Sequence, residues 1–543
     1  MRKHLATLVL IAGTAATVTG CGENLNIPNR SNPDVAKIYS TPSGVEGAIA
    51  GLGAQVFNTQ RASESLNTQA SIFSGENFAT VNNFGMALRG LIPRTIIDNN
   101  LGNDNSTGNL ANYNQFQRVA RTAANTLIAV NKLLDDGKTL GSPGQNNRAK
   151  AFAFLILGEA LGNVALGYDS AAVASPSIPS DSVPGLSGAA DVAALALSML
   201  DSAAIYGAKP EAAGGFPLPT NWISGNSVSQ ARFVQIARSY AARIRAGVAR
   251  TAAERAAVDW SKVIADATNG ITEDLEMQIG GSSGWSAGYD ASQMYVVGGW
   301  HQFPTAYVGM IDMSGGYENW LATPNGQRQA YLVVTTDKRW PQGATRAAQQ
   351  ANTPTQILDD GVYVRNRPTG EDVTGLGFGY SWYDHSRYGG TRNNNGIGPY
   401  TDMSATEISM LAAEGYIRTG NLPAAIALVN ESRVRNNLPP LPTNLSSADA
   451  PYSNDLSTCT PHMPAPSNLS TTQCASLLEA MKYEKRIETA FTGYLIWYTD
   501  NRGWNDLVEG TVVEWPVPYQ EMQNRQQAFY NGERRQGKGT YGY

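Results

Sequence analysis

The chain has 543 residues, a formal net charge of −5, charged side chains at only 16% of positions, and 55 glycines. That balance excludes the broad basic footprint a nucleic-acid partner needs, so no nucleic acid is expected. Few charges and many polar loops suit neutral, hydroxyl-rich or apolar ligands better than highly charged ones.

At the N-terminus, Arg2, Lys3 and His4 precede an uncharged run from Leu5 to Val18, and the small residues Thr19 and Gly20 follow. A basic n-region, an apolar h-region and a small-residue cut site make up a secretory signal. Val18-Thr19-Gly20-Cys21 resembles a bacterial lipobox, which implies cleavage before Cys21 and its acylation. The alternative is an ordinary signal peptide with Cys21 as a bystander. The expected division is a signal at 1–20, a lipidated tether at 21–33 and a single domain over 34–543. No later segment approaches about 18 uncharged apolar residues. The mature protein is therefore expected to be held at a membrane by its lipid and to fold in water.

The first predicted helix runs from about Asp34 to Phe57, with a break near Thr41-Pro42. A stronger one covers Gln115 to Asp136, where Phe116, Val119, Ala123, Leu127, Val130 and Leu134 recur at steps of three or four and Gly137 closes the end. Arg148 to Leu166 reads as its antiparallel partner, with Gly158 and several alanines permitting close approach. Phe233, Ala237, Tyr240 and Ile244 form a further stripe, and the arginines at 232, 238, 243, 245 and 250 read as a solvated face. A hairpin of helices follows, with Ile408, Leu411 and Ala412 before the turn Thr419-Gly420-Asn421 and Leu422, Ile426 and Val429 after it. One more helix is expected from Ala475 to about Tyr494, then an extended Trp515-Pro516-Val517-Pro518. Cys459 and Cys474 are expected to pair across a Pro-, Ser- and Thr-rich loop, the alternative being two free thiols.

Between about Gly280 and Gly390 helical periodicity fades and sixteen aromatic residues crowd together, in a chain whose totals are 13 Phe, 10 Trp and 24 Tyr. An aromatic ring in a loop is either buried or kept for a ligand. Sugars present apolar C–H faces and polar edges, and flat rings flanked by amides and charges hold both. Trp300, Gln302, Tyr307, Trp320, Tyr380, Trp382 and Tyr383 are the ligand-binding candidates on that ground. For each one the competing reading is a ring that fills the core.

The chain as a whole resembles the SusD/RagB nutrient-binding lipoproteins. The likeness is carried, in order, by the lipobox with "LNIPNRSNP", by "TPSGVEGAIAGL", "RAKAFAFLILGEALGNVAL", "EISMLAAEGYIRTGNLPAAIALVNESRVRNNLPPL", "YEKRIETAFTGYLIWYTDNRGWNDL" and "EWPVPYQE". One departure is that Glu484-Lys485-Arg486, Thr492-Gly493, Leu495 and Tyr498 stand where the family usually has Glu-Arg, Glu-Gly and a later Arg and Asp. The resemblance implies a mainly α fold of four helix pairs similar to tetratricopeptide repeats in a right-handed superhelix. That scaffold would occupy 34–275 and 400–543, with a loop-rich aromatic region over about 280–400 carrying the ligand. It also implies a lipoprotein on the outer face of the outer membrane, a glycan or other nutrient as cargo, and a SusC-like TonB-dependent transporter as partner.

No catalytic constellation is legible. His301, His385 and His462 stand apart, without zinc-site spacing, so neither a metal site nor a cofactor is implied, and no nucleophile elbow or phosphate loop occurs. A binding protein without enzymatic activity is the expected function. The alternative is a lipid-anchored α-helical carbohydrate-active enzyme, because a glycosidase needs only two well-placed carboxylates.

Overall fold

The computed structural model describes residues 35–80, 85–103, 106–179, 182–287, 301–351, 362–372 and 379–542. The signal, Cys21 and Trp300 therefore lie outside the described residues. The protein is mainly helical. Near the N-terminus the expected single helix is divided into α1 (Pro42–Ala50), with Thr41 capping Gly44 N–H and Pro42 in its first turn, and α2 (Leu52–Gln60). Next come α3 (Leu66–Ser74), α4 (Ser106–Asp135) and α5 (Pro143–Gly167). The last starts five residues before the apolar pattern becomes visible, because Ser142 caps Gln145 N–H and Pro143 fits the first turn.

Helix α5 is the hub of the scaffold, packed by α4, by α6 (Ala189–Ala208) and by α7 (Gln230–Gly247). Its 18-residue window has mean hydropathy 1.5, and 89% of that window is buried inside the protein. A helix apolar on every side is one surrounded by other helices. Two glycines make the crowding possible: a Cβ on Gly158 would lie 2.7 Å from Leu200 of α6, and one on Gly162 would lie 2.2 Å from Ile244 of α7. Contacts continue from α7 to α8 (Trp260–Thr268), from α8 to α9 (Ala405–Arg418), and from α9 to α10 (Leu422–Arg435) and α11 (Leu477–Thr489). Gly420, at φ 81°, turns the α9–α10 hairpin, and Asn421 caps Ala424 N–H. The helix expected to reach Tyr494 stops at Thr489 and resumes as α12 (Ile496–Trp504), because Phe491, Gly493 and Leu495 all take positive φ.

The arginine row of α7 is not a solvated face. Arg243 is buried against Glu407 at 2.8 Å and Arg250 against Glu514 at 3.2 Å, while Arg238 and Arg245 share Asp266 at 3.2 and 3.0 Å. Sequence spacing locates a charged stripe but not the carboxylates that arrive from distant helices.

Among the described residues eight short strands form four antiparallel pairs: β1 (Ser170–Ala172) with β2 (Leu186–Gly188), β3 (Leu275–Ile279) with β6 (Gly398–Met403), β4 (Val364–Asn366) with β5 (Tyr383–His385), and β7 (His462–Ala465) with β8 (Asn468–Cys474). The β3–β6 pair joins the two ends of the irregular region and anchors it beside the scaffold. Cys459 and Cys474 are disulfide-bonded, Cα to Cα 5.7 Å, across the β7–β8 hairpin. Closing a loop of this size stabilises by about 3 kcal/mol. Replacing both cysteines by Ala is accordingly expected to lower the urea midpoint by that equivalent, and reduction of the wild type should have the same effect.

Candidate functional site

Four of the candidates are interior groups. Tyr307 packs on Trp497, with ring centroids 5.7 Å apart, and its hydroxyl donates to the Asp506 carbonyl at 3.1 Å. Tyr383 is 1% exposed, accepts from Val333 N–H at 2.9 Å and donates to Gln349 Oε1 at 2.8 Å. Trp320 is 3% exposed, with the Tyr317 ring stacked at 6.1 Å and the Arg328 guanidinium 4.1 Å from its ring centroid. Gln302 is buried, exchanges both backbone hydrogen bonds with Phe78 and accepts from Ser381 N–H through Oε1 at 3.4 Å.

The remaining two described candidates differ. Burial alternates along Tyr380, Ser381, Trp382 and Tyr383, with Ser381 and Tyr383 buried and the other two half-buried. Tyr380 and Trp382, on either side of buried Ser381, are both partly open to the outside. Ser381 points inward, its hydroxyl donating to the Phe303 carbonyl at 2.5 Å. Phe78, also half-buried, meets Tyr380 edge-on at 5.4 Å. Gly379 lets these rings come together, because a Cβ there would stand 2.2 Å from the Phe78 ring. Phe78, paired through its backbone with buried Gln302, and Tyr380 are thus brought together from distant stretches of the chain.

Behind Trp382 lies a fixed charged layer. The Arg346 guanidinium sits 4.6 Å from the Trp382 ring centroid and is held by both oxygens of Asp372, at 2.7 and 2.6 Å, and by Asn366 Oδ1 at 3.1 Å. Arg365 forks onto Asp384 at 2.7 and 3.0 Å and reaches Glu371 at 2.5 Å. Burial lifts the Asp384 carboxyl to about 6, against the pull of Arg365. Rings backed by immobilised guanidiniums and carboxylates offer an apolar face and polar edges together, which is the chemistry a sugar ring presents in reverse. His301 is buried with Nδ1 2.7 Å from Asn77 Nδ2, and burial lowers its pKa to about 3, so it is neutral and structural. Among the described residues no group of three His, Cys, Asp or Glu side chains is placed to hold a metal ion.

Next to Trp320, Glu318 stands 3.3 Å from His462 Nδ1, while His462 Nε2 is 2.8 Å from the Leu456 carbonyl. The His462 contact, with Thr472, holds the Glu318 carboxyl at about 2. For His462, burial opposes the charge, but Glu318 and the Leu456 carbonyl outweigh it and raise the pKa. The signs follow from linkage. Glu318 adds stability above its unfolded pKa of 4.5 that is lost as pH falls toward 2; His462 adds stability below 6.5 that is lost as pH rises past its folded value. Glu318→Gln is expected to destabilise most between about pH 4.5 and 6.5, the gap to wild type narrowing on both sides in a pH series of thermal melts.

A cleft of about 640 Å³ lies elsewhere, between the N-terminal half of α6, the end of α7 and Arg534, and holds none of the candidate rings.

No family model and no curated protein matches the chain. Solved structures do. The chain is similar to SusD-superfamily structures over most of its length. A SusD-like protein from Bacteroides fragilis NCTC 9343 shares 11% identity at TM-score 0.49, covering 87% of this chain and 88% of its own. A SusD homolog from Parabacteroides distasonis ATCC 8503 shares 15% at 0.47, covering 87% and 86%. A SusD-like carbohydrate binding protein from Bacteroides vulgatus ATCC 8482 shares 13% at 0.45, covering 86% and 83%.

Phe78 is the site residue that sequence reading missed. It sits some 200 residues before the aromatic cluster, and only the paired backbone at Gln302 brings it there.

Proposed function

We propose that the chain is a binding lipoprotein of the SusD/RagB kind, anchored through acylated Cys21 in the outer membrane and facing the exterior. It captures an oligosaccharide without altering it and passes it to a SusC-like TonB-dependent transporter. The observation that carries this reading is the partly exposed pair Tyr380 and Trp382, joined by Phe78 and backed by the locked Arg346. The ordered sequence resemblance supports the anchor, the location and the partner. Trp300 stays in the proposed ligand set on its sequence position beside His301 and Gln302.

The test is calorimetry of the pure protein against a panel of soluble glycans and peptides, with chromatography of each mixture after incubation. A glycan bound and recovered intact is expected. Steady release of shorter products would replace this reading with the glycosidase one.

A further inference from the structure

The α6 helix is the anomaly of the scaffold. Its 18-residue window has mean hydropathy 1.4, close to that of the core helix α5, yet only 39% of it is buried. The inner side, with Val192, Ala196, Leu200, Ala203 and Gly207, packs on α5 and α7. On the outer side Asp191, Leu195, Ser198, Ser202, Ile205 and Lys209, just past the helix end, follow at steps of four, three, four, three and four, and none of the six is fully buried, although Leu195 also rests partly against the core. Ile205 is 59% exposed. Two apolar residues, two serines and two opposite charges thus lie along one line of the helix surface, at the spacing a second helix packed along it would meet.

The order of residues along that line identifies the partner. If two copies of α6 cross antiparallel about the level of Leu200, Asp191 meets Lys209 of the second copy, Leu195 meets Ile205, and Ser198 meets Ser202. Each contact occurs twice, as a two-fold interface requires. The apolar pairs flank the centre, the small serines at the crossing let the backbones approach, and the opposite charges close both ends. The structure leaves those charges available: Asp201 of the same helix is engaged by Arg238 at 2.6 Å, whereas Asp191 and Lys209 enter no ion pair among the described residues, the Lys209 ammonium resting over the Tyr206 ring at 4.2 Å. We propose that the outer face of α6 is a homodimerisation surface in which two copies pair antiparallel through this seam. One helix pair covers less than the roughly 1,200 Å² of a standard interface, so the dimer is weak, with a Kd on the order of 10–100 μM.

The test is sedimentation equilibrium of the mature chain with Cys21→Ser, so that no acyl group contributes, from about 5 to 500 μM. A monomer–dimer equilibrium is expected, weakened at least about tenfold by Ile205→Lys and by Leu195→Glu. Charge exchange gives a sharper reading. Asp191→Lys alone and Lys209→Asp alone each place like charges at both ends and should be monomeric, whereas an equimolar mixture of the two variants restores both ion pairs and should dimerise. Circular dichroism checks that each variant is folded. A wild type that stays monomeric throughout, a dimer indifferent to these substitutions, or a mixture no more associated than its components would overturn the proposal. Monomers that instead partition onto phosphatidylcholine vesicles through Ile205 would assign the face to lipid and overturn it as well.

Discussion

Arg339→Met is expected to destabilise the protein by about 3–5 kcal/mol, the cost of leaving buried carboxylates without their cation. Arg339 is fully buried and serves three of them: Asp337 through two nitrogens, at 2.9 and 2.6 Å, Glu484 at 2.9 Å and Glu488 at 3.0 Å. Tyr483 donates to Asp337 at 2.5 Å, and Ser432 to Glu484 at 2.6 Å, so the cluster joins α10, α11 and the irregular region at one point. Burial raises the Glu484 carboxyl even with Arg339 and Arg433 beside it. Without Arg339 it rises further above its unfolded value, and a carboxyl that holds its proton longer in the folded state loses stability as pH rises. The deficit of the variant should therefore be larger at pH 8 than at pH 5, read from urea midpoints. Arg435→Ala is the control. Its side chain is 53% exposed and 3.9 Å from Glu488, and removing such a contact costs about 1 kcal/mol or less. Equal losses for the two variants would show that burial does not govern the cluster.

That cluster also marks where the sequence stops being legible. Helices with regular apolar spacing were readable because their burial is set locally: the stripe of α4, the α9–α10 hairpin with Gly420, and the small residues of α5 all follow from steps of three and four. The ion pairs of α11 were not. Its departure from the family pattern at Glu484-Lys485-Arg486 supports no expectation about them, and in the structure Glu484 pairs with Arg339, Lys485 with Asp500 at 2.7 Å and Arg486 with Asp506. The partners lie 15 to 145 residues away, and no periodicity reports them. The aromatic region shows the same limit from the other direction. Composition locates a ring-rich loop region, but whether a ring is core or surface depends on what the chain brings against it: Trp497 for Tyr307, Arg328 for Trp320, Val333 and Gln349 for Tyr383. Which rings stay partly exposed, Tyr380 and Trp382 on either side of the buried Ser381, is likewise set by the contacts around them and not by spacing.

Replacing both Tyr380 and Trp382 by Ala is expected to weaken glycan binding about thirtyfold or more, the equivalent of roughly 2 kcal/mol for losing the ring anchors of a small site, with a smaller loss of stability than a fully buried ring would cost, since Trp382 rests only partly on the core. The comparison that gives this result meaning is Trp320→Ala. Trp320 is 3% exposed and packed against Tyr317 and Arg328, so its removal opens a cavity and should cost about 3–5 kcal/mol of stability, with affinity in the folded fraction unchanged. The two outcomes separate the two fates of an aromatic residue in a loop. A ring buried by its own protein has nothing left for a ligand, and its loss falls on folding; a half-buried ring such as Trp382, resting partly on the core and held by Arg346, itself locked onto Asp372, is preorganised for contact from outside. If the double variant lost stability and kept its affinity while Trp320→Ala did the reverse, the outward surface at Tyr380 would be a lid over core, and the ligand would have to be sought at the Trp320 end of the irregular region.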